Sequence, residues 1–265
     1  MTTARDVACI FEAIAPIESG IPGDQLGFLY GDPDREIRGV ACLWNVHVGS
    51  IEACAAQGLD MLICHEAIWI DPQESPWYEG PKPDEIASNR MRHALLDRYG
   101  MVVYRSHSNW DALRVDGVAD QAVAALGIPG LHEVARQRFF SVSELPEAWT
   151  VSALHALAAE RLGFNGCRLF GDGTKRVRRF AFLIGGFGEN QLHMPQAARD
   201  LGAEALIIGE MSEFILIAAL EMGLPVIETL HSVSESPAIR RQAALLAEQL
   251  PGMPVRFVPS GVLAL

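Results

Sequence analysis

Short apolar runs alternate along this chain with longer segments whose apolar positions recur at helical spacing. The runs predict strands at 40–44, 61–64, 101–105, 179–184, 205–208, 225–229 and 255–258. The segments between them predict helices, most clearly at 84–99, 151–162, 191–201, 212–222 and 237–250. Strands that alternate with helices of this length indicate an α/β fold with a largely parallel sheet. The stretch at 71–83, DPQESPWYEGPKP, is rich in proline and polar residues and predicts an exposed loop, either a lid over a site or a subunit contact.

The pattern repeats. GLDMLICHE at 58–66 matches GAEALIIGE at 202–210, sharing the glycine, an acid, Leu-Ile and the final glutamate. Further on, HSNWD opens at His107 and HSVSE at His231, each after an apolar strand. Two matches in the same order point to a duplicated chain of two similar α/β lobes. The expected division places 1–128 and 236–265 in the first lobe and 129–235 in the second.

Composition narrows the class. The 265 residues are 49% hydrophobic and 20% charged, ample for a packed core and unlike a disordered chain. Scattered basic residues and a formal charge of −12 leave no basic stripe for a nucleic-acid backbone. Acidic residues near the start interrupt what a signal peptide would need, and no apolar run is long enough to span a membrane. Five cysteines without a pairing pattern suit a reducing compartment, so a cytoplasmic protein is expected.

Three of the eight histidines share one setting. His65 follows MLIC directly, His107 lies two residues after MVVYR, and His231 lies two after PVIET. Each would stand at the carboxyl end of a buried strand, where open α/β sheets place their ligands. Each also has a carboxylate nearby in sequence: Glu66, Asp111 and Glu235. A spacing of four brings histidine and acid to one face if the segment turns helical. Imidazole and carboxylate together suit zinc, iron, manganese or nickel, and the absence of a cysteine pair argues against a closed structural zinc site. Six donors do not saturate two ions, so positions stay open for water or substrate; two divalent cations against three carboxylates leave a local charge of about +1, which acidifies bound water.

Other residues carry weaker signals. Glu210 repeats Glu66 and serves either the site or a helix cap. The GGFGEN turn at 185–190 is read as tight strand-to-helix packing rather than an anion cradle. Strand alternation turns Cys64 away from His65, into the core. His47, His93, His132, His155 and His193 lack such carboxylate partners and read as surface or capping residues. Trp69, Trp77, Tyr78 and Trp110 flank the predicted site, as stacking platforms or as core and interface rings.

The segments LGFLYGDPDREIRGV at 26–40, DMLICHEAIW at 60–69, VYRSHSNWDA at 103–112, LIGGFGEN at 183–190, IIGEMSEF at 207–214 and LHSVSE at 230–235 resemble the NIF-three-like (YbgI-like) dinuclear metal-centre proteins. The resemblance implies a two-lobed α/β subunit, a ring-shaped homohexamer and two divalent metal ions between the lobes. It implies the ligands His65, Glu66, His107, Asp111, His231 and Glu235, the last bridging the ions. Members often carry the name GTP cyclohydrolase type 2 homologue, which implies a metal-dependent hydrolase acting on a small nucleotide or another phosphate-containing substrate. The alternative is a non-catalytic protein for metal binding, metal delivery or regulatory scaffolding.

The chain also departs from the family. Glu66 stands where a second histidine is usual, so it is a ligand, a general base beside the metals, or a residue that orients a ligand. Gly23-Asp24-Gln25 replaces a Trp-Asp-Asn, Leu230 replaces the glycine before the last histidine, and Ser234 replaces a threonine.

Overall fold

The computed structural model describes residues 2–71, 78–188 and 191–264. It divides into two compact units, 1–113 with 239–265, and 114–238. Among the described residues there are nine α-helices and two sheets.

In the first unit the strands are β1 (Gly27–Tyr30), β2 (Val40–Leu43), β3 (Met61–Cys64), β4 (Val102–Arg105) and β11 (Val255–Phe257), in spatial order β1-β4-β3-β2-β11. All but the β1–β4 pairing are parallel. The helices are α1 (Ala4–Ile14), α2 (Val48–Ala56), α3 (Ala87–Tyr99) and α4 (Ser108–Asp111). All residues of β2, β3 and β4 are buried, as expected for strands covered on both faces. Leu62 and Cys64 point into a core with Leu43, Ile51, Cys54, Leu96 and Val103, which puts His65 on the alternation away from that core. Burial pushes the Cys64 thiol up to about 12, so it packs as an apolar group.

The second unit holds β5 (His132–Gln137), β6 (Phe140–Thr150), β7 (Arg168–Phe170), β8 (Arg176–Phe187), β9 (Ala205–Met211) and β10 (Val226–Glu228), ordered β5-β6-β8-β9-β10-β7. Its helices are α5 (Val118–Ala125), α6 (Val151–Leu162), α7 (His193–Asp200) and α8 (Glu213–Glu221); α9 (His231–Gln249) begins in this unit. The expectation of a largely parallel sheet fails here. Only β8–β9 and β9–β10 are parallel, because β5, β6 and β7 add antiparallel strands at the edges. Their exposed polar residues break the apolar runs on which the strand reading depended.

The internal repeat has a structural counterpart. GLDMLICHE contains β3 and GAEALIIGE contains β9 except its last residue, each the middle strand of three parallel neighbours, β2-β3-β4 and β8-β9-β10. Gly58 and Gly202, just past the ends of α2 and α7, both take positive φ, 70° and 91°, which closes each helix before the strand. His107 and His231 then follow the equivalent third strands, β4 and β10.

Candidate metal centre

In the first unit, four of the predicted residues converge. The His65 side chain is fully buried, and its Nδ1 lies 3.1 Å from the carbonyl oxygen of Ser106. A carbonyl can only accept, so Nδ1 carries the proton and Nε2 is left as the basic nitrogen. That nitrogen is 3.5 Å from Asp111 Oδ1. The His65 and His107 rings meet edge to face, with centroids 4.9 Å apart. His107 sits at the N-terminal boundary of α4, whose single turn carries Asp111 back toward it. Donor atoms of His65, His107 and Asp111 all lie within 4.8 Å of one another, and Glu66 offers an oxygen within that distance of His65. Ligands at about 2.1 Å from one ion stand roughly 3–4 Å apart, a spacing that His65 Nε2 and Asp111 Oδ1 meet at 3.5 Å.

Asp24 is the residue that sequence reasoning missed. Its Oδ2 accepts from His107 Nδ1 at 2.8 Å and from the Ser108 hydroxyl at 2.5 Å, while Oδ1 accepts from Arg105 Nη1 at 2.7 Å. Burial works against the Asp24 charge, but hydrogen bonds from His107 and Ser108 and the charges of His107 and Arg105 hold its carboxyl far below the usual range. For His107, burial disfavours the charged ring, and Asp24 and Asp111 outweigh it to give a net rise. Only the motif remnant Gly23-Asp24-Gln25 could have signalled this partner, from more than eighty residues upstream.

In the second unit, His231 opens α9. Its Nε2 is 3.2 Å from Glu235 Oε1, one turn on, and its Nδ1 is 3.1 Å from Glu210 Oε1. Glu235 is buried, whereas Glu210 is more than half exposed. Glu210 thus does for His231 what Asp24 does for His107: it holds Nδ1, and in His231 this leaves Nε2 facing Glu235. Its repeat relationship to Glu66 and a role at the site are both legible in the sequence; that His231 is its partner is not.

The glycines around His231 are part of this site. A Cβ at Gly186 would lie 2.7 Å from Glu210 Oε1 and 3.0 Å from His231 Nδ1, and one at Gly185 would lie 2.9 Å from Glu235 Oε1. In the GGFGEN turn the two leading glycines do more than let strand and helix pack: they make room for donor side chains; residues 189–190 lie outside those described. Leu230 takes φ 85°, a conformation in which glycine is unstrained and leucine is not. Ser234 donates to the His231 carbonyl at 2.7 Å, tying the first turn of α9.

The remaining histidines behave as expected of capping and surface groups. His47 caps α2, and His155 meets the Cys167 carbonyl. His93 stacks on Trp69 and pairs with Asp97. Trp110 is buried against Phe11, so it is a core ring. Trp77 lies outside the described residues, with the rest of 72–77 in the 71–83 loop.

Three histidines, each with a carboxylate nearby, thus stand just past the ends of β3, β4 and β10. The sequence profile of Duf34/NIF3 (NGG1p interacting factor 3) matches residues 2–262. The chain belongs to the Duf34/NIF3 family. A Clostridium perfringens relative named GTP cyclohydrolase 1 type 2 homolog is 24% identical over 258 residues, covering 93% of this chain and 92% of the relative. One of the same name from Methanothermobacter thermautotrophicus is 27% identical, covering 88% of this chain and 83% of its own. Among solved structures, the protein ybgI, of unknown function, aligns at a TM-score of 0.80 and 20% identity over 98% of this chain and 99% of its own. A Bacillus cereus protein related to NIF3 aligns at 0.79 and 14% identity over 97% and 96%. These structures show that this Duf34/NIF3 chain has the fold of its neighbours.

Glu66 is the position at which this Duf34/NIF3 member departs most from the ligand set that the resemblance implies. Substituting it with the softer donor, Glu66→His, is expected to shift preference toward zinc over manganese by roughly tenfold, read by competition with a metal-sensitive dye. An unchanged ratio would remove Glu66 from the ligands.

Proposed function

We propose that this protein binds two divalent metal ions through His65, Glu66, His107, Asp111, His231 and Glu235, and that it is a metal-dependent hydrolase of a small nucleotide or other phosphate-containing molecule. One observation carries the reading. Each of the three histidines has its Nδ1 tied to an oxygen, of Ser106, Asp24 or Glu210, which leaves Nε2 as the nitrogen on offer, beside Asp111 for His65 and beside Glu235 for His231. The exposed His93 also has an oxygen, of Asp97, on its Nδ1; what ligating histidines need, and His65 and His231 add, is a second carboxylate beside Nε2. A bound ion supplies Lewis acidity toward water and substrate. The chain's own part is to fix the imidazoles in one tautomer and, at Glu66, to offer a carboxylate for accepting a proton. The relatives' names, GTP cyclohydrolase 1 type 2 homolog, support a nucleotide as the first substrate to try. Among the described residues no helix is long and apolar enough to cross a membrane. Assembly as a homohexamer follows from the same resemblance.

The test is metal per chain by elemental analysis, wild type beside His65→Ala and His231→Ala. Two ions in the wild type, with loss in both variants and unchanged circular dichroism, is the expected result. Unchanged metal content in folded variants overturns the assignment. Hydrolysis is then assayed on metal-loaded protein with nucleoside triphosphates and phosphate esters, and the same two variants are expected to be inactive.

A further inference from the structure

β11 runs parallel beside β2, and their bonding ends where Val258 N donates to the Cys42 carbonyl at 3.0 Å. β2 itself ends at Leu43, so the N–H groups of Trp44 and Asn45 need acceptors outside the ladder. Ser260 supplies both. Its hydroxyl oxygen accepts from Trp44 N at 2.8 Å and from Asn45 N at 3.1 Å, which occupies its two lone pairs. Its carbonyl accepts from His47 Nε2 at 3.1 Å, while His47 Nδ1 accepts from Ser50 N and caps α2. Ser260 is only 3% exposed. One buried residue just after β11 thus pins the segment 44–47, more than two hundred residues earlier in the chain.

The far side of that segment meets the metal centre. The Trp44 carbonyl accepts from Glu66 N at 2.8 Å and from His65 N at 3.2 Å, and Asn45 Nδ2 donates to the Ala67 carbonyl at 3.1 Å. The Trp44 carbonyl and the Asn45 N–H belong to one planar peptide, and with no cis bond there the two groups point in opposite directions. Ser260 holds the N–H end of this plane, and the C=O end holds Glu66. Turning the plane breaks both bonds together. His65 depends on it less, because its N also reaches the Leu43 carbonyl at 3.1 Å and its own carbonyl accepts from Arg105 Nε at 3.0 Å. Every residue in this relay lies in the first unit.

We propose that Ser260 is a positioning residue for Glu66, setting its main chain through the Trp44–Asn45 peptide. That Glu66 serves a bound metal rests on the function proposed above; that Ser260 holds it in place does not.

Hydrogen exchange and zinc binding, both on full-length protein, test this. In Ser260→Ala the amides of Trp44, Asn45 and Glu66 are expected to exchange about tenfold faster, read residue by residue by NMR, while those of β9 stay unchanged. Zinc affinity, measured by competition with a chelating dye, is expected to fall about tenfold, and Ser260→Thr, which keeps the hydroxyl, is expected to restore both. Adding Ser260→Ala to Glu66→Gln should bring no further loss of affinity, whereas a general loosening of the fold would. The proposal is overturned by unchanged exchange at Glu66, by faster exchange throughout the chain, or by a loss of affinity that is the same with and without the Glu66 carboxylate. Unchanged zinc affinity in Ser260→Ala, where Glu66→Gln lowers it, also overturns it. If Ser260→Ala does not fold, Asn45→Ala decides: it removes only the tie to Ala67, and wild-type exchange at Glu66 in that variant counts against the relay. A wild type that binds no zinc, or a Glu66→Gln variant that binds it as tightly as wild type, defeats the role of Glu66 at the metal; faster exchange at Glu66 in Ser260→Ala then still upholds its placement by Ser260.

Discussion

Gly209→Ala is expected to destabilise the second unit by about 3 kcal/mol or more, enough to lower its melting temperature by roughly 6–12 °C. Gly209 lies in β9, the middle of the three parallel strands. An added Cβ would come within 2.3 Å of the Gly185 carbonyl oxygen, 2.7 Å of Ser234 Oγ and 2.9 Å of His231 Cα. Two of these are backbone atoms, which cannot rotate away as a long side chain would. The φ angle of Gly209 is not positive, so the demand there is for space alone. Gly223→Ala provides the contrast: its φ is 77°, but an added Cβ meets nothing within 4 Å. That change should cost only about 1 kcal/mol of backbone strain. Thermal unfolding followed by circular dichroism and calorimetry separates the two. Equal losses at both positions would show that backbone conformation, not crowding around His231, sets the requirement for glycine at 209.

The same crowding explains why some of the site was legible in the sequence and some was not. His65, His107 and His231 stood out because each follows an apolar strand and has an acid close in sequence, and local spacing is something a sequence displays. Asp24 and Glu210 act across long separations, 83 residues to His107 and 21 to His231, and no periodicity connects them. The glycines at 185, 186 and 209 are read in a sequence as turns or repeat markers; the side chains they make room for come from α9 and β9. In the fold, buried strands such as β3 and β9 declared themselves as continuous apolar runs, while β5 and β7 did not, because edge strands with a wet face carry too few apolar residues. The start of α9 was expected at 237, where proline suits a first helical turn. The helix instead begins at His231 and carries Pro237 inside it. Beginning there is what puts His231 and Glu235 one turn apart on a common face, so the unexpected boundary belongs to the site.

Asp24→Ala is expected to show the largest effect of any single change in the first unit, because one carboxylate serves three partners at once. It accepts from His107, from the Ser108 hydroxyl and backbone N–H, and from Arg105, and it is itself only 13% exposed. Truncation leaves the Arg105 guanidinium nearly buried with its counter-charge gone, a change that costs about 3–5 kcal/mol when the partner of a buried pair is removed. It also frees His107 to exchange tautomers and rotate, which typically lowers metal affinity 10–100-fold. Asp24→Asn separates the two consequences. The amide keeps the shape and can still accept from His107 through its oxygen, but carries no charge to set against Arg105. It should therefore recover part of the stability, while metal affinity stays depressed because a neutral acceptor raises the basicity of the ring less than a carboxylate does. Chemical denaturation measures the first and a chelator competition titration the second. If Asp24→Ala melts like wild type and holds metal equally well, Asp24 neither anchors Arg105 nor orients His107. Only His65 and His231 would then have their tautomers fixed by a partner at Nδ1.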